Sequence, residues 1–167
     1  MNCWNNPPKP KPLLPYGPRY HELILNPSWV LEPKLNGQRC LTWLTEQGVR
    51  SFTRTGSRLL RLTQALRGMK WPETLVLDGE YYEGTYHVFD LYRAGGNLDT
   101  RYRQLAHVVG QFSADYPIQI MPRWEKIGAY ERALDAGYEG IVLKSRAHLY
   151  NMPPFNQKDP LWRKVKP

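Results

Sequence analysis

From Trp29 onward the chain is cut into apolar runs of strand length, and the residues between the runs are turn formers. The runs CLTWLT and VRSFTR are separated only by Glu46-Gln47-Gly48, a spacing that predicts a hairpin with Gly48 at its tight position. TLVLDGEYY and YHVFDLY, joined by Glu83-Gly84-Thr85, predict a second hairpin. WVLEPKL before them, and IQIMP, EGIVLK and LWRKVKP after them, read as further strands. Helical spacing interrupts this pattern at three places. Residues 58–68 space Leu59, Leu62, Ala65 and Leu66 helically and close on Gly68. Residues 99–112 open on an Asp cap and put Leu105, Val108, Val109 and Phe112 on one face, and residues 127–136 end at Gly137. Strands and helices do not alternate regularly, so the expected class is α+β, with antiparallel sheets flanked by helices rather than a doubly wound parallel sheet.

At 167 residues with 41% hydrophobic content the chain can fill one core, and one domain is expected over residues 20–167. Ahead of it, residues 5–18 carry six prolines, so residues 1–19 are expected to form an extended arm. No apolar targeting segment opens the chain and no 18-residue apolar stretch occurs, which predicts a soluble intracellular, cytoplasmic protein with no membrane partner. Cys3 and Cys40 give neither a disulfide framework nor a ligand spacing, and His21, His87, His107 and His148 are scattered, so no structural zinc site is expected. The 23 Lys and Arg against 15 Asp and Glu leave a net charge of +8. That is the electrostatic footprint of a nucleic-acid partner, although a merely soluble basic protein shows the same balance.

Six clusters then follow in order: Glu32-Pro-Lys34-Leu-Asn36-Gly37-Gln-Arg39, Thr53-Arg54-Thr55-Gly56, Leu77-Asp78-Gly79-Glu80, Val88-Phe89-Asp90-Leu91-Tyr92, Glu139-Gly140-Ile-Val-Leu-Lys144 and Trp162-Arg163-Lys164-Val165-Lys166. Lys34 ends a strand just before a glycine turn, which sets its amine at the edge of a pocket. A lysine attacks phosphorus only when deprotonated, so its free pKa of ~10.4 must fall, and Arg39, Lys164 and Lys166 are the cations whose repulsion could lower it. A solvated surface lysine is the bland alternative. Glu80 stands inside a strand, where a charge needs a partner, whereas Asp78 reads as a turn cap. Lys164 and Lys166 alternate across Val165, so in a strand both ammonium groups face one way and can offset charge on an α-phosphate and on departing pyrophosphate.

Taken as an ordered set, these clusters resemble the motifs of the covalent nucleotidyltransferases, the superfamily of ATP-dependent DNA and RNA ligases and mRNA capping enzymes, from Glu32 to Lys166. The resemblance implies the fold of a ligase adenylation domain, with Lys34 as the nucleophile that takes AMP from ATP and Lys164 and Lys166 as its catalytic partners. It also implies Glu80 on the ribose, Phe89 stacked on the purine, Arg54 on the ribose and the polynucleotide end, Lys144 in the phosphate region, and Glu139 beside a Mg²⁺ ion. Glu32 implies ATP rather than GTP, and Arg39 implies ATP rather than NAD. The implied activity is the sealing of nicked duplex DNA by a monomer, through an adenylated 5′-phosphate.

Two features depart from that pattern. Asn36 replaces the usual Asp of the first motif, a change that end-joining enzymes on the RNA side tolerate, so RNA or hybrid substrates stay open beside DNA. The sequence also stops one residue after Lys166, without the oligonucleotide-binding barrel that usually follows. A core acting alone would grip its substrate with Arg54, Arg58 and Arg61, joined by Arg67, Arg101, Arg103 and the Lys9 and Lys11 of the arm. GTP-dependent capping and a non-catalytic nucleic-acid-binding module are the remaining alternatives.

Overall fold

The structure, a computed structural model, describes residues 18–92, 94–150 and 161–167. The expected arm, with Lys9, Lys11 and Cys3, lies outside the described residues apart from its last two positions. Helix α1 (Pro18–Leu25) leads into β1 (Trp29–Lys34), the hairpin β2 (Gln38–Thr45) and β3 (Gly48–Thr53), and helix α2 (Leu60–Ala65). The second hairpin, β4 (Leu75–Tyr82) and β5 (Thr85–Leu91), is followed by α3 (Leu98–Gly110), β6 (Ile118–Ile120), α4 (Ala129–Asp135), β7 (Gly140–Ser145) and β8 (Trp162–Val165). Among the described residues no helix is long and apolar enough to cross a membrane.

The strands form two sheets, one ordered β1-β7-β8 and one ordered β3-β2-β4-β5-β6. Both expected hairpins are present, and the second turns through Glu83 and Gly84, which carry φ of 47° and 82° as a two-residue turn of this hand requires. In the five-stranded sheet Cys40, Leu44, Leu77 and Val88 face inward onto Leu62 and Leu66 of α2 and Leu105 and Val108 of α3. In the three-stranded sheet Leu31, Ile141, Leu143 and Val165 pack on Ala129, Tyr130 and Ala133 of α4, with Tyr20, Leu23 and Ile24 of α1 closing the edge. Truncating any one of these buried leucines to alanine should cost about 2–5 kcal/mol, because the transfer energy and a residual cavity add.

Two local expectations are corrected, and one element is new. The pairing of β6 with β5 is parallel, because the connection through α3 returns the chain to the end at which β5 began, so that sheet is mixed. Helix α3 is capped by Asn97, whose side chain accepts from the Thr100 backbone N–H; Asp99 sits in the first turn. Helix α1 was not expected: Pro18 supplies its first position, where a missing N–H costs nothing.

Candidate active site

Strand alternation builds the site. With Leu31, Ile141, Leu143 and Val165 committed to the core, Glu32, Lys34, Val142, Lys144, Trp162 and Lys164 fall on the opposite face of the three-stranded sheet. Across a cleft of about 490 Å³ they meet Arg39, Glu80 and Phe89 of the other sheet and Arg54 from the loop after β3. The register pairs Lys34 with Gly140 but Val30 with Lys144, so Lys34 and Lys144 occupy opposite ends of the cleft.

At the Lys34 end the amine donates to the Glu139 carboxylate, whose other oxygen accepts from Lys166 Nζ at 3.1 Å. The Glu139 backbone N–H also donates to the Lys34 carbonyl at 2.9 Å. Gly140 makes this junction possible: its φ is 145°, and a Cβ there would stand 2.1 Å from the Val165 carbonyl oxygen. Gly37 has a similar role on the other side, where a Cβ would stand 2.6 Å from the Tyr81 carbonyl and 3.0 Å from Glu80 Cγ. Only glycine lets the turn after Lys34 lie against β4, beside Glu80. The bond from Lys34 holds the Glu139 carboxyl below its ordinary range, against some burial and with help from Lys166. Burial pushes the Glu80 carboxyl up, although Lys34 and Arg39 oppose the shift. Burial, followed by the charges of Arg39 and Lys34, sets Lys164 below the usual lysine range.

Arg39, Lys164 and Lys166 were the neighbours expected to act on Lys34, but its nearest charged partner is the Glu139 carboxylate. Lys166 lies just past the end of β8 and reaches Glu139 rather than lining the cleft. Lys144 stands at the far end from Lys34, not beside it.

That far end is apolar and aromatic but holds a buried ion pair. Glu32 and Lys144 have side chains only 2% exposed, with Lys144 Nζ 2.5 Å from Glu32 Oε2. The Lys144 ammonium stands 4.4 Å from the Phe89 ring centre and 4.2 Å from that of Trp162. Lys144 Nζ is committed to Glu32 Oε2, while Glu32 Oε1 and Trp162 Nε1 are buried without a hydrogen-bond partner. An unsatisfied buried polar atom costs about 1–3 kcal/mol, so the two on this wall would be stabilised by a polar partner in the cleft. Burial raises the Glu32 carboxyl above its usual value even though Lys144 pulls the other way.

Arg39 is held from behind. It donates to both oxygens of Asp78, at 3.1 and 2.6 Å, and lies 5.6 Å from the ring centres of both Phe89 and Trp162. The Tyr150 hydroxyl also donates to Asp78. Asp78 is therefore a fully buried anchor for Arg39 and not a turn cap. Arg101 is likewise removed from the proposed grip. It is 0% exposed, bonded to Asp90 at 2.6 and 3.0 Å and to the carbonyls of Gly96 and His148 at 2.8 Å. Arg58 and Arg61 are exposed and stand outside the cleft lining, as do Arg67 and Arg103. Sequence reasoning did not find the Tyr150 and His148 contacts. Asp78 and Asp90 did carry a signal, because each interrupts an otherwise apolar strand, where a carboxylate needs a partner.

The fold and the cleft together define a class, the nucleotidyltransferase fold of ATP-dependent DNA ligase adenylation domains. The chain matches a protein designated Pmar-Lig_Pre at TM-score 0.71 and 22% identity, over 89% of this chain and 44% of that one. It matches the ligase domain of M. tuberculosis LigD at TM-score 0.63 and 20% identity, over 83% and 54% of the two chains. For the ATP-dependent DNA ligase of bacteriophage T7 in complex with ATP the values are 0.62 and 13%, over 88% and 64%. The chain thus spans less than two thirds of each of these proteins. No protein-family profile and no curated protein matches the sequence.

Proposed function

We propose that this chain is the nucleotide-loading core of an ATP-dependent polynucleotide ligase. The observation that carries the reading is the polarity of one cleft: a lysine beside a carboxylate and further cations at one end, and unsatisfied buried polar atoms between aromatic rings at the other. The aromatic end suits adenine. Glu32 Oε1 can accept from the exocyclic amino group and Lys144 can donate to the adjacent ring nitrogen, while Phe89 covers the ring. Guanine presents a carbonyl and an N–H at those places, so both contacts would be repulsive or unmade.

With the base at that end the triphosphate points toward Lys34, and Glu80 and Arg54 stand between, where the ribose lies. The Lys34 amine attacks the α-phosphorus, the P–O bond to the β-phosphate breaks, and pyrophosphate leaves as an N–P bond forms. Lys164 and Arg39 offset the charge that develops on the phosphates. AMP then passes to the 5′-phosphate of a broken strand, and the 3′-hydroxyl of its neighbour displaces AMP. Glu139 is one carboxylate beside the phosphate path, which fits Mg²⁺ bound by a single protein carboxylate together with substrate phosphates and water. A divalent cation bound there would supply charge neutralisation and draw Glu139 from Lys34. The structural likeness to DNA ligases favours DNA as the substrate, and the exposed Arg54, Arg58 and Arg61 are its proposed contacts.

The test is incubation with α-³²P-ATP and Mg²⁺. The wild type should form a covalent adduct whose label survives denaturing electrophoresis, and Lys34→Ala should lack it with an unchanged circular dichroism spectrum. Adduct in Lys34→Ala would reject the assignment.

A further inference from the structure

The face of the five-stranded sheet that carries Arg39 continues past the cleft. On β2, Leu41 and Trp43 follow Arg39 at intervals of two, and in register with them on β3 stand Phe52 and Arg50. Their neighbours Cys40 and Leu44 are committed to the core, so these four side chains lie on the other side of the sheet. They line a groove of about 870 Å³ that shares Thr53, Arg54 and Thr55 with the cleft. Trp43 is half-buried and meets Phe52 edge-on, with ring centres 5.2 Å apart and planes at 85°. Arg50 and Arg54 are exposed on the same wall, and no carboxylate lines the groove among the described residues.

We propose that this groove is a second binding site, which takes an unpaired nucleobase of a polynucleotide strand running out of the cleft. The base stacks on Trp43, and Arg50 and Arg54 hold the flanking phosphates. Aromatic surface interleaved with cations matches the alternation of bases and phosphates in a single strand. A protein partner covering the apolar floor would have to bury two arginines with no carboxylate of this chain to pair them, whereas a polyanion satisfies both. The shared Arg54 gives the strand a continuous path: an end placed near Lys34 leads directly over Trp43. This inference rests on the polynucleotide reading of the cleft.

The experiment measures fluorescence anisotropy of a 3′-labelled 15-nucleotide single strand and of the blunt duplex of the same sequence, alongside adduct formation with α-³²P-ATP. Trp43→Ala should weaken single-strand binding roughly tenfold. It should change duplex binding far less and leave adduct formation unaltered. Trp43→Phe, which keeps a ring, should restore most of the loss. Arg50→Ala should weaken binding and reduce the slope of log affinity against log salt by about one contact. Wild-type affinity in Trp43→Ala, equal losses for single strand and duplex, or no single-strand binding by the wild type would each overturn the proposal. Should Trp43→Ala fail to fold, Arg50→Ala decides, and an unchanged salt slope overturns it. Absence of the adduct in the wild type sinks the ligase reading alone; an adduct together with Trp43-independent binding sinks the groove alone.

Discussion

Lys34 and Glu139 are joined twice, once through their side chains and once by the Glu139 backbone N–H on the Lys34 carbonyl at 2.9 Å. The backbone bond fixes where the carboxylate stands; the side-chain bond occupies the amine. In its proposed role as nucleophile, the amine is freed when its proton passes to the carboxylate or when another cation takes the carboxylate. Glu139→Gln keeps the shape but loses the carboxylate proposed to hold the divalent cation, which should outweigh freeing the amine, and adduct formation should slow about 10²-fold. Single-turnover labelling measures this, and a rate within twofold of wild type would contradict the role given to Glu139.

Base discrimination follows from the buried pair at the other end of the cleft. Wild-type protein should label with α-³²P-ATP at least about 10²-fold faster than with the GTP analogue, because a site that hydrogen-bonds one base edge leaves its polar atoms unpaired with another. Glu32→Gln, which changes the charge and the acceptor geometry, should narrow that ratio. Equal labelling by both nucleotides in the wild type would refute the assignment of Glu32 and Lys144 to the base.

Stability depends on a different pair. Asp90→Ala leaves the Arg101 guanidinium fully buried and without its carboxylate, which should cost about 3–5 kcal/mol in urea unfolding. Replacing both residues with apolar ones of similar volume should recover most of that loss. A near-zero effect of the single change would mean that the guanidinium finds other partners.

The pH dependence is predicted from Asp99, which bonds Arg123 at 2.5 Å and Arg146 at 2.8 Å. Burial acts to raise its carboxyl, but the two arginines outweigh it and hold it below the model-peptide value of 3.8. A carboxyl depressed in the folded state adds stability above its unfolded pKa, and that stability is lost as the pH falls through the folded pKa. Asp99→Asn should therefore be less stable at pH 7, by roughly 0.5–1 kcal/mol after solvent screening, and the difference should shrink at an acid pH well below 3.8. Chemical denaturation at the two pH values checks this, and a gap that persists in acid would be inconsistent with it.

Much of this was legible in sequence because it is local. The turns at Gly48 and at Glu83-Gly84 and the period of two in β2, β4 and β5 are set by residues close in the chain. Glu32, Lys34, Arg39, Arg54, Glu80, Phe89, Lys144 and Lys164 were expected together, and they line one cleft. What escaped was relational. Nothing near Lys34 announces that a carboxylate 105 positions away will hold its amine. Arg101 looked like any helical surface cation, and its burial follows from the packing of α3 on β5, where Asp90 awaits it. The parallel β6 depended on where a long connection returns, which three short residues cannot specify.

The three-stranded sheet has a further consequence, for biosynthesis. Strands β2 and β3, and likewise β4 and β5, pair through tight turns and can zip as soon as they emerge from the ribosome, but β1 has no partner until β7 has been translated. Closing so long a loop is entropically slow, and until then the apolar side of β1 stays uncovered. The half of the molecule with the arginine anchor is thus ready early, while the half that carries Lys34 waits. A nascent chain stalled before β7 would expose a sticky edge and carry only one wall of the cleft, so that is the stage at which its uncovered apolar surface is most prone to aggregate.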